Sequence, residues 1–569
     1  MPNPISLRRA VVAAALTIVA ASASAEDTKA TPQSPATSAG MQAQLSSEFV
    51  YKYLVGEVAG QRGDPGLASS IFLDLAKSSR DPRLAERAAK AAVYGNKPKV
   101  ALQATALWAE LDPSSIEAQQ ATTQMLVSTG NLQEAKPHLQ KLLAKEDTRA
   151  NGFLYLNGLF ANQQDKQAVL ALVQELAKPY PELPEAHFTI AHTAWAAGND
   201  DLAISELAQA DKLRPGWETS AILHGQVLYR QSPDLAMGFY RDFLSHHANA
   251  SEVRLTYARL LVNEKQFAAA KTEFIKLVQA SNNNPEVLVV VGLLSLQSME
   301  LADAEKYFLQ AEKAGFKDPD QLYLYLGQIA ERQKKDDKAL AMYDKVQPGE
   351  HYLDAQLNTA AVMARTQGTD AGIAQLDRLT DLQSEEQAIV AQTRANLLTQ
   401  AKRYDEAYSV LENAVSTLPN SPELIYDYAM AAERVQKLDV MERELRKLIR
   451  LKPDFAQAYN ALGYTLADRN LKLEEARSLI EKALALSPND HYILDSMGWV
   501  HYRLGKLDAA ADYLRRAYTA QTDPEIAAHL GEVLWKQGKY SEALQTWEEA
   551  LKVHPENEVL INTTKKFKQ

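Results

Sequence analysis

The sequence predicts an all-α solenoid of about fifteen helix-turn-helix repeats, and three observations predict it. A marker dominated by alanine recurs at Ala68, Ala101, Ala135, Ala168, Ala203, Ala236, Ala270, Ala304, Ala339, Gly372, Ala407, Met441, Ala476, Ala510 and Ala543, with every step 33, 34 or 35 residues. A large apolar residue follows four positions after fourteen of the fifteen markers, from Phe72, Leu139 and Leu207 to Leu514 and Trp547, Thr105 being the exception. A small residue recurs about twelve positions before the marker, as at Gly56, Ala191, Gly292, Gly327, Gly463, Gly498 and Gly531. Self-similarity at such a period is the mark of one supersecondary unit stacked many times. It also explains how 569 residues fold without one oversized core.

The elements follow in chain order. Residues 1–25 predict a secretory signal peptide: Arg8 and Arg9 close a basic start, Ala10 to Ala21 carry no charge, and Ala23-Ser24-Ala25 places the cut before Glu26. Twelve apolar residues span only ~18 Å as a helix, too short for a ~30 Å hydrocarbon core. Residues 26–45, rich in Thr, Ser, Pro, Ala and Gln, predict a flexible linker. Residues 46–346 are expected to form a first block of about nine repeats, 347–387 an irregular junction, and 388–555 a second block of five. Residues 556–569 are expected to form a closing helix.

One repeat illustrates the physics. Pro184–Ala197 puts Ile190, Ala191 and Ala194 on one face at helical spacing, Gly198-Asn199-Asp200 turns the chain, and Leu202–Lys212 gives a second amphipathic helix. Small Ala191 and Ala203 let the two backbones approach, and Leu207 fills the cleft. Pro215 ends the second helix. A single pair cannot bury its apolar side, so each repeat needs its neighbours. Irregularity is expected at Thr105 and Thr123, at the extra residue within Asp468–Lys472, and around Gly372.

These signatures resemble the tetratricopeptide repeat (TPR) superfamily over roughly nine-tenths of the chain. The match is carried by Leu530-Gly531, Ala543, Trp547, Ala550 and Pro555, by Met497-Gly498, Ala510, Leu514 and Ala517, and by Val291-Gly292, Ala304, Phe308 and Ala311. The resemblance implies a right-handed superhelix whose first helices line a concave groove. Within that superfamily the chain resembles exported proteobacterial adaptor lipoproteins that partner a carboxyl-terminal processing protease. That likeness lies in the stretches Ile493–Trp499 and Ala528–Trp535. Those relatives carry a lipidated cysteine, and this sequence has no cysteine at all.

Composition narrows the chemistry. Absence of cysteine removes disulfides, thiolate metal sites, cysteine nucleophiles and a lipid-bearing cysteine. Sixty-one basic against 72 acidic residues give −11, and removing residues 1–25 takes away two of the former and none of the latter, leaving −13. That balance opposes non-specific binding of nucleic acid or anionic membrane. No phosphate-binding loop, nucleophile elbow or HExxH motif occurs. His187 and His192 are five apart, poorly placed for one metal on one helix face. No catalytic residue, metal or cofactor is therefore expected. Glu185, Glu286, Glu423 and Glu525 each follow a proline at a helix start, where an acid suits the helix dipole. An acidic groove rim for a basic ligand is the alternative reading of the same residues.

The repeat phase also selects first-helix residues that face away from the packing stripe. Near the C-terminus these are Asn460, Tyr464, Tyr492, Asp495, Trp499, Tyr502, Arg503 and Trp535; a second candidate patch holds Phe153, Phe160, Phe188, His192, Trp195, Leu228 and Tyr229. Wet aromatic and arginine side chains are enriched in binding hot spots. The competing reading is that these rings pack against the next repeat or the closing helix. The expected function is an exported, periplasmic, non-enzymatic scaffold with protein or peptide partners, a processing protease and its substrates among them. Assembly of exopolysaccharide or envelope is the second reading. A lytic transglycosylase is the third, for which the period leaves no catalytic domain.

Overall fold

The computed structural model describes residues 46–568, so the expected signal peptide, its cut and the linker lie outside the described residues. Among the described residues there are 31 helices and no strand, arranged as fifteen consecutive antiparallel pairs and one closing helix, Glu558–Lys568. They divide into two compact bodies, one ending at Lys317 with eight pairs and one beginning at Asp318 with seven pairs and the closing helix.

Each pair starts from local chemistry. Pro65, Pro82, Pro184, Pro285, Pro319, Pro422 and Pro524 open their helices at the first turn. There the missing N–H costs nothing. Side chains of Asp64, Asn199, Asn284, Asp490 and Asp523 cap the exposed N–H groups that follow. In most pairs the chain turns between the helices through a residue of positive φ. It is glycine at Gly63, Gly130, Gly198, Gly505 and Gly538, but Lys265, Lys334 and Lys402 occupy the same place elsewhere. The extra residue of Asp468–Lys472 is taken up by two left-handed residues in one turn, Asn470 and Lys472, and the pair on either side keeps its packing.

The marker has one structural meaning: it is the fourth residue after the N-cap of the second helix. Its N–H bonds back to the cap carbonyl, as in Ala203 to Asn199 and Ala543 to Lys539, both 3.1 Å. Markers from Ala68 to Ala543 are buried, with one correction. In the fourth repeat the N-cap is Asp165, so Val169 takes the marker position, and Ala168 is only half-buried. In seven repeats the residue four beyond the marker stands over a glycine of the first helix. A Cβ on Gly327 would lie 2.2 Å from the Tyr343 ring, and one on Gly292 2.6 Å from Phe308. Burying one such side chain contributes roughly 1.5–3 kcal/mol, and the contact repeats along the chain.

Around Gly372 the second helices are short, eight residues each at Asp336–Tyr343 and Thr369–Leu376, while the intervening first helix, Tyr352–Gln367, has sixteen. Gly372 replaces alanine because a Cβ there would meet the Ala360 carbonyl at 2.5 Å. Thr105 and Thr123 are buried but satisfied. Thr105 Oγ1 donates to the Leu102 carbonyl and Thr123 Oγ1 to that of Gln119, so their repeats still close. Phe567 of the closing helix covers Trp547, ring to ring at 5.9 Å.

Candidate functional site

Four first helices of the second body, Pro422–Arg434, Ala456–Asp468, His491–Arg503 and Pro524–Lys536, present one face in succession. They form a groove of about 300 Å³ that takes in Tyr426, Met430, Asn460, Tyr464, Tyr492, Asp495, Glu525 and His529. Of the residues selected from the repeat phase, Asn460, Tyr464, Tyr492 and Asp495 thus meet at one place. Tyr492 is 57% exposed on the rim. Tyr464 is half-buried, and burial, then the carboxylates of Asp495, Asp468, Glu525 and Glu433, holds its phenol well above the ordinary tyrosine range. The side-chain oxygen of Asn460 is buried without a hydrogen-bond partner.

Behind this groove lies a polar brace. His529 Nδ1 sits 3.0 Å from both carboxylate oxygens of Asp495, and its ring stacks on Trp499 with centroids 4.1 Å apart. Burial opposes a charge on His529, but Asp495 outweighs it and holds the imidazole above its usual pKa. Trp499 Nε1 donates to Asp468 Oδ1 at 3.2 Å, and Arg503 Nη2 donates to the Asp468 carbonyl at 2.7 Å while lying over the Trp499 ring.

The sequence expectation of eight wet groove residues is corrected here. Trp499 is 6% exposed and Asp495 7%, because both are held by the neighbouring repeat. Tyr502 donates its hydroxyl to Glu532 at 2.9 Å, and Trp535 packs between Tyr540, Trp547 and Phe567. These rings and Arg503 brace the groove rather than line it.

The second patch does not assemble into a site. Phe153 and Phe160 are fully buried and Phe188 is nearly so, packed on Trp217. His192 is half-buried, and burial, helped by Lys166, lowers its pKa. Trp195 is covered by the Arg230 guanidinium at 5.1 Å, Leu228 is half-buried, and exposed Tyr229 donates to Glu264 at 3.1 Å. His187 is held by Glu206 and the Pro181 carbonyl. Among the described residues no cluster of three or more His, Asp or Glu side chains could hold a metal, and no helix is long and apolar enough to cross a membrane.

Sequence reasoning missed Tyr426 and Met430. Each stands one period before a selected residue, Asn460 and Tyr464, so extending the same phase by one repeat finds them. His529 lies one position off that phase, and no sequence signal separates it from a core histidine.

A family model described as tetratricopeptide repeat matches residues 292–351 and 426–491, and one described as anaphase-promoting complex, cyclosome, subunit 3 matches 469–550. The chain is 33% identical over 492 residues to a TPR repeat-containing protein of Pseudomonas aeruginosa, spanning 86% of this chain and 82% of the relative. It is 24% identical over 401 residues to cellulose synthase operon protein C of Pseudomonas fluorescens, spanning 59% of this chain and 31% of that relative.

Proposed function

The chain belongs to the tetratricopeptide repeat family, and from that membership we propose that it is an exported, non-enzymatic adaptor acting in the periplasm. It holds protein partners on the first-helix face of its second body. The observation that carries this reading is the groove at Tyr464 and Tyr492. There, aromatic surface stays open on helices whose remaining apolar residues are mostly buried, and open rings backed by a rigid brace are what a binding surface needs. In the finer reading the adaptor presents substrates to a carboxyl-terminal processing protease in cell-envelope turnover. The likeness of Ile493–Trp499 and Ala528–Trp535 to such adaptors supports it.

A second reading, a scaffold for exopolysaccharide assembly, draws on the similarity to cellulose synthase operon protein C. Two experiments test the proposal. Fractionation with N-terminal sequencing should find a periplasmic chain beginning at Glu26, and an uncut cytoplasmic chain would overturn export. Affinity capture from periplasmic extract by wild type and by Tyr492→Ala then separates the readings. A protease with cell-wall hydrolases, lost from the variant, supports the adaptor; synthase components support the alternative; identical capture by both proteins removes the groove assignment.

A further inference from the structure

We propose that the groove between Tyr426 and His529 receives a cationic segment of the partner, with an arginine or lysine side chain set between the Tyr464 and Tyr492 rings and directed at Glu525. This rests on the reading of the groove as a protein-binding surface and names its occupant.

Charge and shape both point that way. The groove lining contains Asp490, Asp495 and Glu525 and neither lysine nor arginine. Two of these acids are already engaged: Asp490 Oδ1 caps the N–H groups of Tyr492 and Ile493, and Asp495 is occupied by His529. Glu525 is different. It opens its helix on the exposed side, with its backbone N–H held by Asp523 Oδ1 at 2.8 Å and its carboxylate at the groove edge. Tyrosine faces attract a cation, and a carboxylate beyond them adds direction. The buried, unpartnered oxygen of Asn460 adds an acceptor in the same floor, suited to an N–H donor. Arginine and lysine bring donors and a charge together, whereas an acidic segment would face three carboxylates, with His529 the one basic side chain in the lining and already engaged by Asp495. By contrast, Glu442 and Glu475 are already closed by Arg446.

The test uses the chain from Glu26 onward and three labelled peptides of one length: one with alternating arginines, one with citrulline in their place, one with glutamates. Fluorescence anisotropy at low salt should show the arginine peptide binding on the order of tenfold or more tighter than the citrulline peptide, with affinity falling as salt rises. Glu525→Gln and Tyr492→Ala should each weaken it severalfold. Asp512→Asn, the same loss of charge on an exposed second-helix position, should not. Circular dichroism checks that all variants stay folded. Equal binding of arginine and citrulline peptides, with Tyr492→Ala still harmful, overturns the cationic occupant but leaves a protein-binding groove. Equal loss in Asp512→Asn and Glu525→Gln reduces the effect to net charge and overturns the site. Binding of none of the peptides, or indifference to Tyr492→Ala, overturns the groove itself.

Discussion

Trp547 stands over Gly531 so closely that a methyl group on the glycine would lie 2.1 Å from the indole nitrogen. The same relation holds for Tyr240 over Gly225 at 2.0 Å and Leu514 over Gly498 at 2.5 Å. It is the contact that sets how near the two helices of a repeat come.

Gly531→Ala should therefore destabilise the chain by about 1–3 kcal/mol through overpacking. Gly238 is also in mid-helix, but no atom lies within 4 Å of its Cβ position, so Gly238→Ala should stabilise by roughly 0.5–1 kcal/mol. Urea unfolding of the two variants measures the difference in sign. A stabilising Gly531→Ala would contradict the packing account.

Trp499→Ala should cost about 3 kcal/mol or more, because a large buried ring leaves a cavity and strands His529 and Arg503. Tyr492→Ala, on the exposed rim, should stay within about 0.5 kcal/mol. Thermal unfolding distinguishes brace from binding surface; equal losses would erase that distinction.

Arg254 pairs with Glu273 inside the seventh repeat, the side chains being only 8% and 12% exposed, and its second nitrogen donates to the Ala248 carbonyl. Removing one partner, Arg254→Ala, should cost about 1.5–3 kcal/mol, because the buried Glu273 carboxylate then keeps only its bond from half-exposed Lys276 Nζ at 2.7 Å. Arg254→Met with Glu273→Leu should recover most of that loss. A double-mutant cycle in urea gives the coupling, and additive losses would show that the pair is not acting as one.

His529 makes stability depend on pH in a defined direction. Its folded-state pKa is raised, so the stabilisation from its contact with Asp495 is complete below the unfolded value near 6.5. It is lost as pH rises through the higher folded value. The difference in melting temperature between wild type and His529→Gln should shrink as pH rises above about 6.5. A difference that grows with pH contradicts the assignment.

The fold was legible because the packing repeats. Marker, small residue and large apolar residue are each imposed by one helix-helix contact, and fifteen copies lift the pattern above the noise. The site was legible only in part. Phase along a helix tells which residues point toward the groove, which found Asn460, Tyr464, Tyr492 and Asp495 together. It does not tell what the next helix lays over them. Trp499 is covered by His529, and Phe188 by Trp217, through side chains from other repeats that the local pattern does not contain. The displaced register at Val169 was hidden because Ala168 satisfied the period equally well by composition.

The most direct test of the account is hydrogen exchange of the chain alone and bound to its captured partner. Protection should rise in the first helices Ala456–Asp468, His491–Arg503 and Pro524–Lys536, while second helices such as Leu507–Ala520 stay unchanged. Protection confined to the second helices, or to the first body, would contradict the claim that this groove is where the protein binds.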